Sequence, residues 1–321
     1  MESKYHGLMK QLANNRLEDA LDRYFANFNG TLDLAIKLIT DRKNPIEVLI
    51  LLCARLDALA SDAAKDDMPS RKAFTSFVTA YAGHRDLLSS ISVGDLYYEL
   101  GYHRWLLEGM IPSPGRVHIF SRLDEPIIHL LDEAGLPVTL KDSDVLLGTL
   151  MRIIKREYRA IPGQHAGKRF VNATSLQNKI AERAKHTKLK KIANNLPHAL
   201  APLLERMKIS SILYQRFRSE SIHGATVILD EQRFFSEKEV YWKPVYSDYH
   251  GKYELVEFPA RVLLSVLEQS IKTYRAALVG KGKIPPAVHF FAFPGNIFES
   301  LELLDTELLP DVGRIRLKPS H

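Results

Sequence analysis

The stretch that most constrains this chain is Ile46–Ala64, IEVLILLCARLDALASDAA, apolar round much of a helical circumference. Arg55, Asp57 and Asp62 are its polar exceptions. A helix with so little polar face has to be buried against other elements. Asn44-Pro45 supplies its start, because Asn caps the first N–H groups and Pro fits the first turn. The longest wholly apolar run, Val48–Ala54, is about two turns long and follows Glu47. That is far short of the roughly 20 apolar residues of a bilayer span, so the expectation is a core helix and no membrane segment.

The partners of this helix are also helical by pattern. Leu17, Leu21, Tyr24, Phe25 and Phe28 recur at three-to-four spacing and predict a helix over Asn15–Phe28, ended by Gly30 and resumed over Thr31–Thr40. Pro69-Ser70 opens another through Tyr81, and Asp95–Glu108 reads as a third long helix of this region. Pro112-Ser-Pro-Gly115 is a break. Beyond it, Leu123–Ala134, Met151–Ala160 and Ser175–Asn194 are predicted helical, with residues 161–174 as a loop. Pro202–His223 is predicted as one helix stopped by Gly224. The texture then changes: aromatic and β-branched residues alternate on either side of His250-Gly251, which predicts a small β-hairpin closed by Pro259. Ala260–Leu278 is again an amphipathic helix, and a Pro/Gly-punctuated tail follows from Gly280. The fold class expected is mainly α with a small β accessory; the alternation of strands and helices that a doubly wound sheet needs is missing.

Charge is spread unevenly over the 321 residues. Lys and Arg number 44 against 38 Asp and Glu, a net +6. Met151–Lys191 alone holds twelve Lys/Arg against Glu157 and Glu182, a local +10 that leaves the rest of the chain at −4. Such a segment is either a solvated helix face or a footprint for a polyanion. Lys185, Lys188, Lys190 and Lys191 are the candidates for contact with an RNA backbone. The segment lacks the apolar stripe with interfacial Trp or Phe that a membrane surface requires.

Chemistry concentrates in Leu213-Tyr-Gln-Arg-Phe-Arg-Ser-Glu-Ser-Ile-His-Gly224. On an α-helix Arg218 and His223 lie about 140° and 7.5 Å apart, so a long Arg side chain can swing toward an imidazole at the helix end. Arg216 sits two turns before His223 on nearly the same face; it is a candidate RNA contact, or the partner of Glu220 four residues on. RNA carries its own nucleophile, the ribose 2′-OH. Its cleavage needs a base, an acid for the departing 5′ oxygen and positive charge on the phosphorane. His suits the first two tasks and Arg the third, with no metal or other cofactor required. One His supplies a single acid/base partner, and a symmetric dimer would bring a second. The other reading is local: a helix-terminal His before Gly interacting with the helix dipole.

Other signals are set aside. His118, His129, His165, His186 and His198 are scattered without metal-ligand spacing, so no metal site is expected. Cys53, the lone cysteine, lies within the most apolar helix and reads as buried and inert. No phosphate-binding glycine motif occurs; Gly280-Lys-Gly-Lys283 reads as a basic loop. The aromatic residues of 234–258 are expected to pack the hairpin rather than stack bases. The N-terminal residues mix both charge signs without an apolar core, so a secretory signal is not expected and a cytoplasmic location is.

The pattern L-Y-x-x-x-R-S-x-x-x-H-G, followed by a hairpin with Tyr241-Trp242 and then FPARVLLSVLEQSIKTY, resembles the HEPN superfamily. More narrowly it resembles a bacterial branch associated with antiphage defence. The resemblance covers residues 200–278 most closely, touches 46–110 and does not reach 112–198. It implies a HEPN-like helical bundle whose first half comes from 1–111, a large mixed insertion at 112–198, a motif helix, hairpin and final bundle helix at 199–279, and an extension at 280–321. It also implies a metal-independent endoribonuclease site across a homodimer, with His223 as acid/base and Arg218 as phosphate stabiliser. Ser219 stands where many members carry Asn, Asp or His as a polar third residue. Since many HEPN domains lack nuclease activity, a module that binds RNA or a nucleotide is the alternative, as is an assembly subunit of a defence complex. An antitoxin or complex partner would fit either setting.

Overall fold

A computed structural model describes residues 2–64, 68–110, 140–158, 169–219, 230–247, 251–283 and 285. Among them the chain is mainly α-helical: eleven α-helices, one π-helical turn and two two-stranded antiparallel sheets. None of these helices is long and apolar enough to cross a membrane. The described residues group into two compact units, one drawn from 1–83 with 263–321 and the other from 84–262.

The first unit is built from helices α1 (Glu2–Thr40), α2 (Pro45–Ala63) and α3 (Ser70–Tyr81) and the greater part of the helix Ala260–Lys281. The Asn44 side chain accepts from the Ile46 N–H at 3.0 Å, the cap read from Asn44-Pro45. Val48, Leu49, Leu52, Cys53, Leu56, Leu59 and Ala60 of α2 are buried, as the apolar run requires. Phe25, Phe77 and Tyr274 meet edge to face at centroid distances of 5.4–6.2 Å, tying α1, α3 and the last helix together. The Tyr24 hydroxyl donates to Asp62, and Arg275 pairs with Asp22 at 2.6 Å. Gly30 does not stop α1: the helix runs straight through it, with open space where a Cβ would stand. The stop comes at Arg42, in the left-handed region at φ 49°, where Lys43 N–H returns to the Leu38 carbonyl.

The second unit holds α4 (Arg85–Leu88), β1 (Ile91–Ser92), α5 (Val93–Met110), α6 (Leu140–Tyr158), β2 (Phe170–Val171), α7 (Ala173–Ala184), α8 (Leu196–Arg206), α9 (Ile209–Ile212), the π-turn Leu213–Ser219, α10 (Glu231–Ser236), β3 (Tyr241–Ser247) and β4 (Gly251–Glu257). The last α-helix of the chain, α11 (Ala260–Lys281), begins here. Leu96, Leu100, Leu146, Leu150, Ile154, Leu176, Ile180, Leu200 and Leu203 form one core between α5, α6, α7 and α8. Strands β3 and β4 pair antiparallel, as a hairpin requires, with Tyr241 opposite Glu257 and Ser247 opposite Gly251.

The segments around β1 also differ from the sequence reading. The loop expected at 161–174 contains β2, which pairs with β1. The single helix expected over Pro202–His223 is broken: α8 starts at Leu196 with Pro197 in its first turn, and Pro202 lies inside it. The break at Met207-Lys208 has a cause in hydrogen bonding. Ser92 N–H donates to the Met207 carbonyl at 3.1 Å and Ile209 N–H to the Ser90 carbonyl at 2.9 Å, so the chain leaves the helix to flank β1. The helix predicted over Leu123–Ala134 lies outside the described residues.

Candidate functional site

The motif segment begins as a π-helical turn, Leu213–Ser219, entered from the short helix α9. Turns with i→i+5 bonds are rare and are frequently found at functional sites. Two anchors fix this one. Phe217 is fully buried and meets Phe258 edge to face at 5.1 Å. Arg216 Nη1 donates to the Val256 carbonyl at 2.8 Å, and its Nη2 pairs with Asp95 Oδ1. Asp95 closes the ring, because its Oδ2 accepts from the Val256 N–H at 3.1 Å. Three elements therefore meet at one guanidinium: the π-turn, β4 and the first turn of α5.

Asp95 owes its place to local sequence. Ser92-Val-Gly-Asp95 makes one half of a capping box at the start of α5: Asp95 N–H donates to Ser92 Oγ at 3.4 Å, while the Ser92 hydroxyl, in place of its backbone N–H, donates to Asp95 Oδ2. Ser92 and Asp95 are both buried, at 0% and 3% exposure, and a carboxylate in a first turn is favoured by the helix dipole. Gly94 lets this turn lie against β4: a Cβ built on it would overlap the Glu254 carbonyl oxygen. Ser-x-x-Asp ahead of an apolar run is a signal that sequence reasoning could have used, and it was missed.

Glu257, 6% exposed, is the second buried acid of the region. Burial pushes its carboxyl up to about 7; the Arg216, Lys243 and Arg233 cations oppose that rise and the Asp95 charge reinforces it. Burial also raises the Tyr241 hydroxyl, with the Glu257 charge adding to the effect. Two aromatics of the hairpin lie against cations. Arg233 lies 4.0 Å over the Tyr241 ring, and Arg169 lies 4.5 Å over Trp242 while pairing with Glu254 at 3.1 Å.

The basic segment departs from the helix predicted over Ser175–Asn194. Helix α7 ends at Ala184, and residues 185–195 are a succession of turns. Leu189 and Ala193 are buried in the core of the unit, and the Thr187 hydroxyl donates to the Ala184 carbonyl at 2.8 Å and accepts from the Leu189 N–H at 3.1 Å. Lys185, Lys188, Lys190 and Lys191 are exposed on these turns, and no acid among the described residues pairs with any of the four. The cations are thus carried on a backbone held by buried apolar anchors, each contributing about 1–3 kcal/mol.

Of the predicted site residues, Arg216, Arg218 and Ser219 share the π-turn, and the four lysines share the turns after α7; both belong to the second unit. Arg218 and Ser219 are the last two residues of the π-turn, and His223 lies outside the described residues. No cluster of His, Cys, Asp or Glu suited to a metal ion occurs among the described residues. Comparison with protein-family models, with curated proteins and with solved structures gives no match in any of the three.

Proposed function

We propose that this protein is a HEPN-type, metal-independent endoribonuclease acting in defence of a bacterial cell. The observation that carries this reading is the π-turn: the segment bearing Arg218 and Ser219 leaves regular α-helix and is tied down by a buried ion pair at Arg216. In this reading His223 moves the protons, Arg218 stabilises charge on the phosphorane and Ser219 orients substrate or imidazole. The four exposed lysines hold the RNA backbone, and a second copy of the chain completes the acid/base pair.

The test is cleavage of labelled single-stranded RNA and of total tRNA in excess EDTA by wild type, Arg218→Ala and His223→Ala, each verified as folded. Cleavage by wild type alone, leaving 2′,3′-cyclic phosphate ends, is the expected result. Equal cleavage by all three would place the activity elsewhere. RNA retained but uncut by all three would leave the binding module, a reading that the lysine-bearing turns favour without any help from Arg218 or His223.

A further inference from the structure

Arg216 and Asp95 stand outside the chemistry proposed for Arg218 and His223, yet they form a buried charge pair. Asp95 is 3% exposed and Arg216 is only 22% exposed along its side chain. A buried ion pair is weak as a source of stability, because desolvation offsets most of its attraction; its best-attested use is to fix register. The geometry here is suited to that use. A guanidinium is a rigid fork, and two of its nitrogens are occupied by acceptors on different elements, Asp95 of α5 and Val256 of β4. A fork held at two points fixes both the height and the rotation of the backbone it springs from. That backbone is the π-turn, and Arg218 follows two residues later.

We infer that Asp95 is the positioning residue of the motif, setting through Arg216 the backbone frame that carries Arg218 and Ser219. Arg216, a candidate RNA contact by sequence, is thereby assigned to positioning. The inference rests on the reading of Arg218 and His223 as the cleaving pair. Asp95→Asn removes the charge while keeping the shape, so the Arg216 fork loses its ionic contact with α5 and the turn its fixed height. Misplacement of a reacting group by about 1 Å is enough to lower kcat about 10²-fold, while substrate held by remote lysines keeps its KM within about twofold.

The experiment compares wild type, Asp95→Asn, Arg216→Gln and the double variant, by single-stranded RNA cleavage and by amide hydrogen exchange. The expected result is a fall in kcat with KM retained, a double variant no worse than either single one, and faster exchange confined to residues 213–219 while α6, α7 and α8 stay protected. Unchanged kcat and unchanged exchange in Asp95→Asn would overturn the inference. If wild type cuts no RNA, the ribonuclease reading falls by itself, and exchange in 213–219 still decides: local loss of protection supports the positioning role, and wild-type protection refutes it. Should Asp95→Asn lose protection in α6–α8 as well, Arg216→Lys takes its place, since it keeps the charge but lacks the fork.

Discussion

Glu257→Gln tests the electrostatics around the π-turn most directly. The carboxyl, on the last residue of β4, is buried, and its midpoint is raised from the ordinary 4.5 to about 7 chiefly by that burial. The folded protein therefore binds a proton that the unfolded chain has already released between these values. The stability contributed by this group is complete below about pH 4.5 and is lost as pH rises through about 7. At about 1.4 kcal/mol for each pH unit of displacement, the loss is about 3 kcal/mol between pH 4.5 and pH 8. Gln has the shape of the protonated acid and no charge to desolvate, so the variant escapes this term. The assay is urea unfolding from pH 4.5 to 8 followed by tryptophan fluorescence. Both tryptophans, Trp105 and Trp242, belong to residues 84–262, so the signal reports the unit that contains Glu257. The variant should gain about 3 kcal/mol on wild type across the range, with nearly all of the gain above pH 5. Parallel curves would refute the reasoning. A wild type that gains on the variant with rising pH would mean that Arg216, Lys243 and Arg233 outweigh burial.

Gly94→Ala should destabilise the second unit by about 3 kcal/mol or more, because the new methyl meets backbone that cannot swing aside; the same unfolding measurement checks it. Gly30→Ala should do the opposite: it sits mid-helix with open space around it, so a gain of about 1 kcal/mol is expected in thermal unfolding. Replacing Lys185, Lys188, Lys190 and Lys191 with Ala should weaken RNA binding at low salt. It should also flatten the dependence of log affinity on log salt by up to about 3, at about 0.7 for each single-strand phosphate that a lysine no longer neutralises. An unchanged slope would remove these four lysines from the interface.

Much of the helical content was legible in the residues because its signals are local. The Asn44-Pro45 cap, the circumference of α2 and the Pro69-Ser70 start each depend on side chains a few positions apart, and each sits where the pattern placed it. Gly30 misled for an equally physical reason. Glycine lowers helix propensity by about 1 kcal/mol, a penalty that packing of the flanking turns can offset. Leu21, Phe25, Phe28, Ala35 and Ile39 are buried on both sides of it.

The candidate site divides along the same line. Sequence by itself determined the residue types of the motif, the density of positive charge and the class of the fold, since all three are properties of composition and short spacing. Tertiary structure decided the rest. Breaking the predicted 202–223 helix required β1, more than a hundred residues earlier, to bond the backbone at Met207 and Ile209. Giving Arg216 its partner required Asp95, 121 positions away, on a helix start that a glycine presses against β4. Turning the lysine tract from a helix face into anchored turns required Leu189 and Ala193 to enter a core shared by α5 to α8. Contacts of this range leave no periodicity in the chain, because the free energy that selects them is the burial and hydrogen bonding gained only when distant segments meet.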